Sequence, residues 1–181
     1  MNMEFSLLTL SQNEWKLYND TIALEGEIEV RNKQLFDVGI FERYRNIHNQ
    51  YFELYDKTSN SEIKIEALKR LIFLNWYSVL EPSCFTGIEN FDQSTMFKAY
   101  SILNDQLNEN QLDSEFIWML SYYSSWDWII LSSSENKLTT LTNFVNNVGN
   151  SAAPKNQLPK GTMDNRGQMG IYWNSCSVEI K

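Results

Sequence analysis

The chain has 181 residues and a formal net charge of −8, with a pI of about 4.7. That balance disfavours DNA or RNA, whose phosphates select basic patches; it suits a basic protein partner through faster encounter, although solubility alone explains it equally well. A composition that is 43% hydrophobic and 14% aromatic is globular and excludes disorder, and a chain of this length buries a core without disulfides or metals.

Up to about Val30 the pattern is ambiguous, and Glu25 to Val30 alternates as either a short strand or an acidic helix start. Phe36, Ile40, Tyr44, Ile47, Tyr51 and Leu54 then recur at spacings of three and four, one stripe of a long helix. Phe41, His48, Phe52 and Tyr55 flank it, and Gly39 is a weak point inside it. Residues 56–60 read as a turn. Ser59 with Glu62 has the spacing of a capping box, and Ile63, Ile65, Leu68, Leu71, Ile72, Trp76 and Val79 mark the next helix. Pro82 stops it at Glu81. The short turn predicts antiparallel packing of the two helices.

Residues 83–92 read as a loop in which Gly87 supplies turn freedom. Met96, Tyr100, Leu103 and Leu107 mark a third helix, broken at residues 108–110, with Asp113 placed to start another. Residues 116–131 are apolar around most of a helical circumference, as at the centre of a bundle. Ser132 with Glu135 offers a second capping box; Leu138, Leu141, Val145 and Val148 give a final stripe, stopped by Gly149. Beyond it Pro154, Pro159, Gly161, Gly167 and Gly170 argue against regular helix, while Ile171, Tyr172, Trp173, Val178 and Ile180 are apolar enough to dock. The expected fold is therefore mainly α: a single bundle of about five helices over 1–149, with an irregular or short-strand extension over 150–181 packed on it.

Reactive constellations are scarce. His48 is the one histidine, on a helix face, where a structural role is the commoner use. Cys84 and Cys176 with one histidine do not supply a zinc set, and two cysteines fit a reducing compartment better than a disulfide framework. No Walker sequence, dinucleotide fingerprint or calcium loop occurs. No cofactor and no metal are expected. The first residues lack a basic leader region, and no apolar stretch reaches the ~18 residues of a membrane span, so a cytoplasmic location without membrane contact is expected.

Two carboxylates stand among aromatics: Glu81, before Pro82, and Asp127, between Trp126 and Trp128. In a shared cleft, with pKa values raised by desolvation, they could hydrolyse a bond. The competing reading makes them fold determinants, with Glu81 accepting loop amides and Asp127 paired with Arg70 or a tryptophan N–H. On that reading Glu81, Pro82, Thr86 and Gly87 form a structural loop. Rings of the run from Trp118 to Trp128 that reach the surface would anchor a protein partner; with them, Glu109, Asp113, Glu115, Trp126 and Asp127 are the candidate partner-binding residues, although a solvated face explains the acids as well.

Residues 66–88, and above all Trp76-Tyr77-Ser78-Val79-Leu80-Glu81-Pro82-Ser83-Cys84-Phe85-Thr86-Gly87-Ile88, resemble a group of small, acidic, largely uncharacterised bacterial proteins. These carry a W-Y-S-x-x-E-P-S-x-x-T-G-I signature and a later W-M-L-x-Y-Y-S-x-W-D segment, matched here by Trp118 to Asp127. The resemblance spans residues 57–128, less than half of the chain. It is similar in character to immunity proteins of bacterial polymorphic toxin systems, and it implies a non-enzymatic module that binds and neutralises a toxin, one with a basic domain. A carboxylate hydrolase and a regulatory helical scaffold are the alternatives.

Overall fold

The structure is a computed structural model that describes residues 5–134, 137–148 and 161–176. It is mainly helical, with no strand among the described residues. The chain forms two compact units, one of Met1–Phe91 with Lys155–Lys181 and one of Asp92–Pro154. The boundary falls after the loop that follows Pro82.

In the first unit α1 (Leu7–Ile22) starts at Ser6, whose hydroxyl accepts the Thr9 amide at 3.2 Å. Its buried residues are Leu10, Ser11, Glu14, Leu17 and Thr21, a helical spacing hidden from a hydrophobic search by its three polar members. The Glu25–Val30 alternation turns out to open helix α2 (Ile28–Asp37). The long helix expected from Phe36 is interrupted. Gly39 takes φ +71°, a left-handed conformation that ends α2 and leaves its carbonyl to accept the Arg43 amide of α3 (Ile40–Lys57). Phe36 consequently leaves the stripe and is 74% exposed, while Ile40, Tyr44, Ile47, Tyr51 and Leu54 are buried as their spacing predicts.

Helix α4 (Ser61–Leu80) is capped one residue later than expected: the Asn60 side chain, not Ser59, accepts the Glu62 and Ile63 amides at 2.9 and 3.1 Å. It ends before Glu81, as Pro82 requires. Helices α3 and α4 run antiparallel: His48 meets Asn75, Tyr51 meets Arg70 and Tyr55 carries the Lys64 ammonium over its ring. His48 is fully buried, its Nε2 is 2.7 Å from Asn75 Oδ1, and its ring stacks on Phe91 at 4.1 Å.

After Pro82 comes a single turn, α5 (Ser83–Thr86), closed by Gly87 at φ +72°. Of the expected irregular tail, residues 161–166 are turn and bend and the rest of its described part is a helix, α10 (Gly167–Cys176), packed on α1 and α4. Glycine does not prevent this helix; it permits its approach. A Cβ on Gly170 would collide with the Met163 carbonyl, and one on Gly167 would lie 2.6 Å from Glu14 Cδ. The Tyr172 ring enters an aromatic group on α4, with centroids 5.6, 5.5 and 5.3 Å from Phe73, Trp76 and Tyr77. Pro154, Pro159, Val178 and Ile180 lie outside the described residues.

In the second unit Asp92 caps α6 (Gln93–Asn108), accepting from the Ser94 hydroxyl and from the Thr95 hydroxyl and amide; these bonds hold its carboxyl down at about 2. Asp113 caps α7 (Ser114–Tyr123) through the Phe116 amide at 2.7 Å. The apolar segment 116–131 is not one helix. A 3-10 turn (Ser124–Trp126) separates α7 from α8 (Asp127–Ser133), and Trp128 emerges, 55% exposed. Ser132 lies within α8, and its proposed capping partner Glu135 lies outside the described residues, as does Gly149. Helix α9 (Thr139–Val148) buries Leu141 and Val145, and Asn104 of α6 accepts its Leu141 amide at 3.1 Å.

Gly87 is a tight joint of the first unit. A Cβ there would stand 2.6 Å from Thr21 Oγ1 and 2.8 Å from Ile40 Cγ2, on a backbone that disfavours side chains. Gly87→Ala is expected to destabilise the protein by roughly 2–4 kcal/mol, read as a lower urea midpoint at unchanged slope; a midpoint equal to the wild type's would contradict this packing.

Candidate functional site

Glu14 sits on the buried face of α1, 1% exposed, surrounded by the first unit's helices. Its Oε1 accepts the Tyr51 hydroxyl of α3, and its Oε2 accepts the Gln168 amide of α10 at 2.9 Å. Arg70 of α4, also buried, donates from Nη1 to Tyr51 Oη at 3.0 Å, to the Leu7 carbonyl at 3.0 Å and to Ser11 Oγ. Its Nε donates to Glu66 Oε1 at 2.8 Å. Glu66 also receives both Arg166 Nε, at 2.9 Å, and Arg166 Nη2. Two guanidiniums and two carboxyls thus form one chain of charge-assisted bonds across α1, α3, α4 and the segment leading into α10.

Burial pushes the Glu14 carboxyl above its ordinary value, against the Tyr51 hydroxyl, the Arg70 charge and the Gln168 amide, which all favour the carboxylate. Burial, with the Glu14 charge beside it, likewise lifts the Tyr51 phenol far above its usual range.

Above this cluster, on the outer side of α1, lies a cleft of about 420 Å³. One wall is α1, with Leu8, Ser11 and Trp15; the other is the 163–174 segment, with Asp164, Gly170 and Ile171. Ser11 and Gly167 belong to its lining and also touch the buried cluster, through Arg70 and Glu14 respectively. Leu8 and Trp15 are 58% and 62% exposed. Ile22 follows, half exposed, so the three occupy every seventh position and trace one line along the helix. Leu8, Trp15 and Ile22 are not among the candidates that the sequence offers. The signal was present: Leu8, Trp15 and Ile22 fall on the face opposite Leu10, Glu14, Leu17 and Thr21.

The residues that were singled out are distributed otherwise. Glu109, Asp113 and Glu115 stand at the end of α6 and the start of α7, where the Asp113 carboxylate is engaged as a helix cap. Trp126 and Asp127 lie beyond the far end of α7, about 16 Å further along at the usual helical rise. The two groups do not form one patch. Trp126 packs edge-on against Tyr122 at 5.3 Å, and Asp127, exposed, accepts the Trp128 amide at 2.7 Å. Glu81 belongs to the first unit and Asp127 to the second. Glu81 ends α4, Pro82 opens α5, and Thr86 Oγ1 accepts the Ile88 amide at 3.1 Å, so this loop has the geometry of a structural corner. Arg70 spends its donors on Glu66, Tyr51, Ser11 and Leu7. Cys84 and Cys176 are thiols. Among the described residues no group of three or more His, Cys, Asp or Glu side chains is arranged to hold a metal, and no helix is long and apolar enough to cross a membrane.

The Glu14 shift sets a pH dependence. Its folded-state pKa is raised, so between its unfolded value near 4.5 and the raised value the folded protein binds more protons than the unfolded chain. Stability from this group therefore grows as pH falls through that window and is lost as pH rises through it. The stability of the wild type minus that of Glu14→Gln, measured by urea denaturation from about pH 7.5 down to about pH 5, is expected to increase at up to ~1.4 kcal/mol per pH unit. A difference that is flat, or that falls on acidification, would contradict a buried carboxyl of raised pKa.

Comparison with protein families, with curated proteins and with solved structures returns no match for this chain.

Proposed function

We propose that this chain is a non-enzymatic protein-binding module that neutralises a cognate bacterial toxin by direct binding, an immunity protein in character. The observation that carries the reading is the line of Leu8, Trp15 and Ile22, which leaves three large apolar side chains at least half exposed along α1 beside a 420 Å³ cleft. Burying such side chains gains about 1.5–3 kcal/mol each, and their alignment on one helix face beside a cleft supports a face that another molecule covers. Trp15 has the chemistry of a binding anchor: a large, rigid ring with an N–H at its edge. The line extends for about 21 Å, the length of an ordinary interface contact along one helix.

The net charge of −8 supports a basic partner, whose approach it would accelerate. The W-Y-S-x-x-E-P-S-x-x-T-G-I resemblance supports the toxin-neutralising class. On this reading the first unit's buried ion network is a fold determinant that holds α1 rigid, so that its outer line is presented in one geometry.

Co-expression of the chain with each protein encoded immediately beside its own gene tests the reading, scored by growth rescue and by co-elution on size exclusion. One neighbour is expected to be toxic alone and harmless with the wild type, and Trp15→Asp should abolish rescue without lowering the thermal midpoint. If no neighbour is toxic, or if Trp15→Asp rescues fully, the proposal fails.

A further inference from the structure

Resting on that reading, we infer that the cleft between α1 and the 163–174 segment receives an arginine side chain of the basic partner, stacked on Trp15 and paired with Asp164. The argument is one of charge and shape. Among the described residues that line the cleft, Asp164 is the one charged side chain. Its Oδ1 accepts the Asn174 amide at 2.9 Å, which fixes the carboxylate at the rim, and a carboxylate has acceptor capacity for further donors. Two buried cations of the first unit are turned inward, Arg70 onto Glu66, Tyr51, Ser11 and Leu7 and Arg166 onto Glu66 and the Met163 sulfur, and Lys16, exposed on α1, is not among the lining residues. Among the described residues the cleft therefore presents a carboxylate and an aromatic face with no positive charge in its lining.

A guanidinium matches both. Indole is the best of the aromatic rings for cation–π contact, and the planar fork of arginine pairs with a carboxylate while stacking on a ring. Leu8 and Ile171 would cover the methylene stem, as apolar surface does for long cationic side chains. A volume of about 420 Å³ exceeds one side chain and accommodates the flanking backbone as well. An acidic group entering the same space would meet Asp164 and be repelled; an aliphatic one would leave Asp164 unused.

The experiment uses the full chain and three capped tripeptides, Gly-Arg-Gly, Gly-Leu-Gly and Gly-Glu-Gly, titrated while the Trp15 indole N–H and the Gly167 and Gly170 amides are followed by NMR. The arginine peptide is expected to shift all three signals saturably, the glutamate peptide none, and the leucine peptide at least threefold more weakly. Asp164→Asn and Trp15→Ala should each weaken the arginine peptide about two- to fivefold, and raised salt should act in the same direction; both residues are exposed, so unchanged melting curves show that the variants fold. The inference is overturned if the arginine peptide leaves the three signals in place, if the leucine peptide matches it, or if Asp164→Asn binds as well as the wild type. A neighbour-encoded toxin that still depends on Trp15 while the peptides fail would sink the arginine site and leave the toxin-binding reading standing; peptide binding without any toxic neighbour would do the reverse.

Discussion

The buried run of Glu14, Tyr51, Arg70, Glu66 and Arg166 is the constraint on which the first unit depends. Removing one member of a buried ion network costs roughly 3–5 kcal/mol, because the partners remain desolvated and uncompensated. Here the members come from α1, α3, α4 and the entry to α10, elements far apart in sequence. Each must therefore be in register before the charges are satisfied. Apolar packing alone would tolerate small slides between these helices; a guanidinium shared between a carboxylate, a phenol and a backbone carbonyl does not. The network fixes which face of α1 points inward, and hence which residues point outward.

That link from interior to surface explains why the cleft has the walls it has. Glu14 reaches the Gln168 amide only because Gly167 has no side chain, and α10 approaches the Met163 carbonyl only because Gly170 has none. Tyr172 then closes the contact by entering the Phe73, Trp76 and Tyr77 group. With α1 and α10 held in this way, Trp15 and Asp164 stand on opposite walls of one groove. The exposed line on α1 and the acid on the far wall form one surface of the first unit.

Much of the helical order could be read from residue spacing. The stripe of Ile40, Tyr44, Ile47, Tyr51 and Leu54 and the stop at Pro82 are products of local rules, and they hold. What spacing did not reveal has physical causes. Glu14 breaks the apolar pattern of α1 and leaves its spacing ambiguous, and the burial of Arg70 within the apolar run of α4 comes from partners on other elements. Gly39 reads from composition as a weak point inside a helix, because its left-handed φ is a property of the joint. Gly167 and Gly170 suggested an irregular tail because their value lies in tertiary closeness, which no local rule measures. The cleft itself pairs residues more than 140 positions apart, beyond the reach of any local pattern.

The most direct test of this account is native-state hydrogen exchange on Arg166→Met, which keeps the apolar stem and removes the shared cation from Glu66. The account predicts that amides of α10 exchange faster on the order of a hundredfold, while those at the centre of α3 keep most of their protection. Unchanged exchange in α10, or an equal loss throughout the first unit, would contradict the claim that this ion network locks α10 against α1.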